Sequence, residues 1–169
     1  PATGAHSFHK GGDGPIADWW VFGDALRPIP QVMACAGFEP EQFTLQPIPF
    51  SEMRPGCYDA SARLADMDAA RIERSLCFPT FPRFAGQQFM ESPDKEVADL
   101  CVRAFNDWMV EEWCAPSGGR LLPLCLVQLW DPELAAAEVR RIAAEGVRAI
   151  TFPELPSFLG LPSIHNRDG

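Results

Sequence analysis

Leu121-Leu122-Pro123-Leu124-Cys125-Leu126-Val127-Gln128-Leu129-Trp130-Asp131-Pro132-Glu133 is the stretch whose reading decides the fold. Its first nine residues form an almost unbroken apolar run, the pattern of a strand buried on both faces. Asp131 then offers a carboxylate to cap a helix, and Pro132 takes the first helical position, where a missing N–H costs nothing. Leu134, Ala137, Val139 and Ile142 follow as the expected inward face, and Gly146 ends the helix. Val147 to Phe152 is a further apolar run. A strand, a capped helix and a second strand make a βαβ unit, and the connection implies parallel strands.

The same alternation runs upstream. Ser75 to Thr80 reads as a short buried strand ended by proline, and a loop follows from Phe81 to Pro93. Asp94 then opens an amphipathic helix whose expected apolar face is Val97, Leu100, Cys101, Ala104, Phe105, Trp108 and Met109. Pro116-Ser117-Gly118-Gly119 stops it. Before Ser75, Asp59 caps a helix that carries Leu64, Met67, Asp68 and Ile72 at helical spacing.

Alternating helices and apolar strands imply a parallel sheet with helices outside, either doubly wound or closed as a (β/α)₈ barrel. No Gly-rich fingerprint follows a strand, which weakens the dinucleotide-binding version. A whole barrel takes about 250 residues, and only three strands are visible. The reading is therefore α/β, a partial (β/α)₈ TIM barrel holding roughly strands 2–4 with their helices. Residues 1–56, rich in proline and glycine and without a sustained period, read as a long loop excursion between a missing first strand and the first visible helix. Residues 57–169 read as the partial barrel domain, truncated at both ends.

The bulk numbers narrow the classes. With 47% hydrophobic and 22% charged residues among 169, the chain is globular rather than disordered. A formal net charge of −9 argues against nucleic acid, which needs clustered Lys and Arg. The best apolar run, Leu121 to Trp130, is about half a membrane span and holds Pro123 and Gln128. No membrane partner is expected. Six cysteines lack any CxxC or CxxH spacing, and Cys77, Cys101, Cys114 and Cys125 sit inside strand or helix patterns. They read as free thiols in a reducing, cytoplasmic setting.

Several ordered segments resemble one family. They are Arg54-Pro55-Gly56-Cys57-Tyr58-Asp59, Arg63-Leu64-Ala65-Asp66-Met67-Asp68, Phe105-Asn106-Asp107-Trp108 and Arg120-Leu121-Leu122-Pro123-Leu124. Asp131-Pro132-Glu133-Leu134-Ala135 with Glu138 and Arg141, Gly146-Val147-Arg148-Ala149-Ile150 and Gly160-Leu161-Pro162-Ser163 continue the series. Together, over roughly residues 50 to 165, they resemble the amidohydrolase-related metal-dependent hydrolases and decarboxylases, relatives of aminocarboxymuconate semialdehyde decarboxylase. The resemblance implies a divalent metal, zinc or manganese, at the C-terminal mouth of an intact parent barrel. Its ligands there are a His (or Glu)-x-His pair on the first strand, a His on the fifth and an Asp on the eighth. None of these carries over to a position of this sequence, so no metal ligand is assigned and no metal is expected on this fragment.

The candidate site residues come from position. Thr80 and Phe81, Gln128 and Trp130, and Pro153 and Glu154 follow the three strands and should project toward the mouth. Glu154, the carboxylate among them, reads either as a base or metal-supporting group or as the partner of a nearby arginine. His165, just past the last strand, reads as a substrate contact or as part of a polar tail. Arg54 reads as a carboxylate binder or as the ion-pair partner of Asp59 or Asp66. His6 and His9 read as loop residues, Asp66 and Asp68 as structural helix residues, and Trp19 and Trp20 as packing groups. No catalytic residue is identified.

The functional expectation is a fragment of a metal-dependent hydrolase or decarboxylase acting on a small carboxylated or aromatic molecule. A non-catalytic barrel scaffold and an inactive partial gene product are the rival readings. A small-molecule substrate is the expected partner, with room for a homo-oligomer.

Overall fold

The computed structural model describes residues 17–154 and 156–162, in two compact units divided between Ile72 and Glu73.

The first unit opens with a hairpin that the composition of residues 1–56 concealed. Strands β1 (Trp19–Phe22) and β2 (Ala25–Pro28) pair antiparallel, with Trp19 opposite Pro28 and Phe22 opposite Ala25. Gly23-Asp24 is left as a two-residue turn, and Gly23 takes the positive φ of 55° that a glycine supplies at low cost there. Four short 3₁₀ turns follow, over Gln31–Ala34, Pro40–Gln42, Phe50–Glu52 and Pro55–Cys57. Ile29, Ala34, Ile48 and Met53 form their small core, with Phe38 and Phe50 packed on it. Backbone bonds join two of these segments, Gln31 N to Gln46 O at 2.9 Å and Ile48 N to Ile29 O at 3.0 Å, and side chains add to them: Gln31 Oε1 accepts from Thr44 N at 3.0 Å, and Asp18 Oδ2 accepts from Phe50 N at 2.6 Å. Helix α1 (Ala60–Ala69) completes the unit. Asp59 caps it as expected, accepting from Ala62 N at 2.6 Å.

In the second unit, β3 (Ser75–Cys77) pairs parallel with β4 (Leu121–Pro123). Cys125 forms a parallel bridge with Ile150, accepting from Thr151 N at 2.9 Å and donating to Ala149 O at 3.3 Å. The three expected strand segments are thus parallel and adjacent in chain order. Each ladder is shorter than its apolar run. Pro79 and Pro123 have no N–H to donate, and the 121–129 run turns at its end, where Asp131 N donates to Gln128 O. The crossover after β3 holds α2 (Gln87–Met90), inside the expected loop, and α3 (Lys95–Asp107); α4 (Pro132–Ala144) follows β4. Asp94 and Asp131 cap their helices as expected. The described residues form an α/β fold with no closed barrel.

The helix faces need correction. Helix α3 buries Ala98, Val102 and Asn106, whereas Val97, Leu100 and Ala104 of the expected apolar face are exposed. Helix α4 buries Glu138 and Ile142, and Val139 and Ala137 are exposed. An apolar count places every polar residue outward, but Asn106 and Glu138 are drawn inward by hydrogen bonds described below. Past Asp107 the chain continues as a π-helix over Trp108–Cys114, whose i→i+5 spacing stacks Trp108 on Trp113 with centroids 5.9 Å apart. All six cysteines are free thiols. Among the described residues no helix is long and apolar enough to cross a membrane.

Candidate functional site

Parallel strands bring their C-terminal ends to one edge, and in the second unit the segments beyond those ends pack together. Ala85, after β3, joins Val127 and Leu129, after β4, in one apolar cluster with Leu159 and Leu161. Thr151 Oγ1, near the end of the third strand segment, donates to Phe84 O at 2.5 Å. On this rim Thr80 and Glu154 are exposed. Trp130 is half-buried, with Lys95 Nζ 5.2 Å from its ring centroid in a cation–π contact. Lys95 also donates to Met90 O. No hydrogen bond or ring contact among the described residues joins Thr80, Trp130 and Glu154. His165, His6 and His9 lie outside the described residues.

Gln128 departs from expectation. Rather than reaching for the mouth it is fully buried, and its Nε2 donates to Asp99 Oδ1 on α3 at 2.7 Å, while its Oε1 finds no partner. An amide inside an apolar run must seek a polar partner, and the helix offers the nearest.

A buried polar network supports the rim. Asn106 Nδ2 donates to Leu126 O at 2.9 Å and to Glu138 Oε1 at 2.8 Å, and Leu126 N donates to Asn106 Oδ1 at 2.8 Å. Asn106 thus satisfies backbone that no neighbouring strand pairs. Arg141 grips Glu138 through Nε at 2.8 Å and Nη2 at 2.6 Å, and its Nη1 donates to Asp107 Oδ1 at 2.6 Å. Burial pushes the Glu138 carboxyl up, but the hydrogen bonds from Arg141 and Asn106 outweigh it and hold the group below its ordinary value. Glu138 in turn raises Arg141. These residues position the strand–helix junction. The sequence signal was their polarity inside helices otherwise patterned for burial.

The first unit holds an open surface pocket of about 430 Å³. Arg54 lines it, with Nε donating to Asp66 Oδ2 at 2.7 Å and Nη2 to Asp66 Oδ1 at 2.6 Å. Of the alternatives open for Arg54, the structure shows its fork engaged by Asp66, while Asp59 is occupied as the α1 cap. Arg54 holds the Asp66 carboxyl below its ordinary value, and Asp66 raises Arg54. Gly56 makes the pair fit: a Cβ there would collide with Asp66 Oδ2. Arg63, which position had not singled out as a site residue, lines the same pocket with no carboxylate in ion-pair distance among the described residues. Trp20 meets Phe50 edge-on at 6.5 Å, a packing contact within this unit.

Among the described residues no group of three or more His, Cys, Asp or Glu side chains is placed to hold a metal ion. Asp131 caps α4, Asp99 is engaged by Gln128 and Arg103, and Asp107 by Arg141. No curated protein matches the chain. The family model described as Amidohydrolase matches residues 15–167, a span that takes in most of both units and all three parallel strand segments. The chain belongs to the amidohydrolase family.

Proposed function

We propose that this chain is the strand-two to strand-four portion of a barrel enzyme similar to aminocarboxymuconate semialdehyde decarboxylase, which hydrolyses or decarboxylates a small carboxylated or aromatic compound. The observation that carries the reading is the run of parallel segments at Ser75, Leu121 and Ile150, in chain order and within the family match. The apolar faces left open support it. Leu76 and Phe78, alternate residues of the strand run, are 50% and 51% exposed, as an inner face awaiting further strands would be. Ile150 and Phe152 at the other strand edge are also exposed. In this reading residues 57–169 are the barrel portion, and residues 1–56 form a long excursion between the first strand and the helix that opens it.

The family is typically metal-dependent, and the described residues do not supply a fitting donor set. Zinc or manganese would be held by groups outside them. Thr80, Trp130 and Glu154 would shape the substrate end of the mouth, with Arg54 and His165 as candidate substrate contacts. Six free thiols favour a reducing compartment, as in the cytoplasm.

The test is turnover by the parent enzyme loaded with zinc or manganese, on a panel of small aromatic and carboxylated compounds. Release of CO₂ in step with substrate loss supports decarboxylation, and bond cleavage without CO₂ supports hydrolysis. A loaded parent inert across the panel would favour the scaffold instead.

A further inference from the structure

We propose that Cys77 and Cys114 form a peroxide-sensitive pair in the second unit, in which Cys77 is the reactive thiol and Cys114 closes onto it as a disulfide. The fold brings the two sulfurs together through β4. Cys77 ends β3, opposite Pro123 in the parallel ladder, and Ser75 at the other end lies opposite Leu121. Cys114 ends the π-helix, and Ser117 fastens that end to the same strand. Its Oγ donates to Cys114 O at 2.6 Å and accepts from Leu121 N at 2.9 Å. Strand β3 and the helix end are thus both tied to the start of β4, and across that junction the two thiols share a hydrogen bond. Such contact is what disulfide closure requires, since thiols held apart cannot join without moving backbone.

Access divides the roles. Cys77 is partly exposed, whereas Cys114 is buried, its Sγ 3.9 Å from Met109 Sδ. A small oxidant therefore meets Cys77 first. The hydrogen bond with Cys77, and after it burial, raises the Cys114 thiol above its ordinary value. Cys114 thus keeps its proton and favours negative charge on the Cys77 sulfur, the form that attacks. Hydrogen peroxide is the oxidant that the chemistry needs. The Cys77 sulfur attacks one peroxide oxygen, the O–O bond breaks, and the other oxygen leaves as water with the Cys77 proton. That gives a sulfenic acid. The Cys114 sulfur then attacks the Cys77 sulfur, the S–O bond breaks, and the sulfenic oxygen leaves as a second water with the Cys114 proton. A reducing compartment keeps the pair open until peroxide rises. Exposure alone selects a different residue, because Cys57 is the exposed cysteine of the six.

The pairing is independent of the reaction proposed above, and its test needs no turnover. Hydrogen peroxide is added to the 169-residue chain, the remaining thiols are alkylated, and the digest is mapped by mass spectrometry. A Cys77–Cys114 bond within one chain is expected as the main product, reversed by dithiothreitol. Its share of all disulfides should fall about tenfold in the urea-unfolded chain, where the six cysteines pair without guidance from the fold. Cys114→Ser should leave Cys77 as a sulfenic acid that dimedone captures, and Cys77→Ser should protect Cys114 from oxidation. Should either variant fail to fold, the wild-type maps with and without urea decide. Oxidation mainly at Cys57, a Cys35–Cys57 bond, a cross-link between chains, or an equal Cys77–Cys114 share in urea would each overturn the assignment.

Discussion

In the first unit Arg54 grips Asp66 at the surface, with side chains 46% and 26% exposed. In the second, Arg141 grips a Glu138 side chain that is 0% exposed, itself 30% exposed. The two clamps share chemistry and differ in surroundings. An exposed pair gives up little when broken, because water replaces each partner. A buried pair is costly to break, because the survivor is stranded. Glu138 also receives Asn106, which serves the backbone of Leu126, so the second clamp is tied to the strands and the first is tied to a pocket wall.

The largest expected effect is that of Glu138→Ala, about 3–5 kcal/mol of stability lost in denaturant unfolding, from removing one partner of a buried pair. Its pH signature has a fixed sign. The folded Glu138 sits below its ordinary value of 4.5, so its contribution is full above that value. It is lost as pH falls from there through the lower folded value, and wild type and variant should converge in acid. A difference that grew as pH fell would contradict the assignment.

Asn106→Ala should follow, at roughly 2–4 kcal/mol, since it orphans the buried N–H and C=O of Leu126. Gly56→Ala comes next and sharpens the contrast. Its Cβ displaces Asp66 from Arg54, and the thermal midpoint should fall far less than in Glu138→Ala. The Asp66 carboxyl should meanwhile titrate closer to its ordinary value by NMR. A Gly56→Ala loss as large as that of Glu138→Ala would erase the distinction between the clamps.

The smallest effect is chemical. Thiol labelling should reach exposed Cys57 first and buried Cys114 and Cys125 last. Burial pushes the Cys125 thiol up to about 12, and its hydrogen bond with Cys77 raises Cys114 further. Early labelling of Cys125 in the folded protein would contradict the packing of the second unit.

Much of the second unit was legible because local chemistry and global fold agree there. Asp94 and Asp131 cap helices where side-chain type and spacing placed them, as Asp59 does in the first unit, and the apolar runs at Ser75, Leu121 and Val147 supply the parallel segments. The hairpin at Trp19–Pro28 was legible too, in the Gly23-Asp24 pair, but was masked by the proline-rich stretch around it. The faces of α3 and α4 were not, since an apolar stripe does not reveal that Asn106 and Glu138 bond each other across two helices. Arg63 escaped for a similar reason. Whether a guanidinium is paired depends on which of two nearby arginines Asp66 takes, and spacing along α1 does not decide that.

Native-state hydrogen exchange compares the two units directly. The amide of Leu126 and those of α4 around Ile142 are expected to exchange last, and the 3₁₀ turns between Gln31 and Cys57 first. Turns of the first unit outlasting Leu126 would contradict that order.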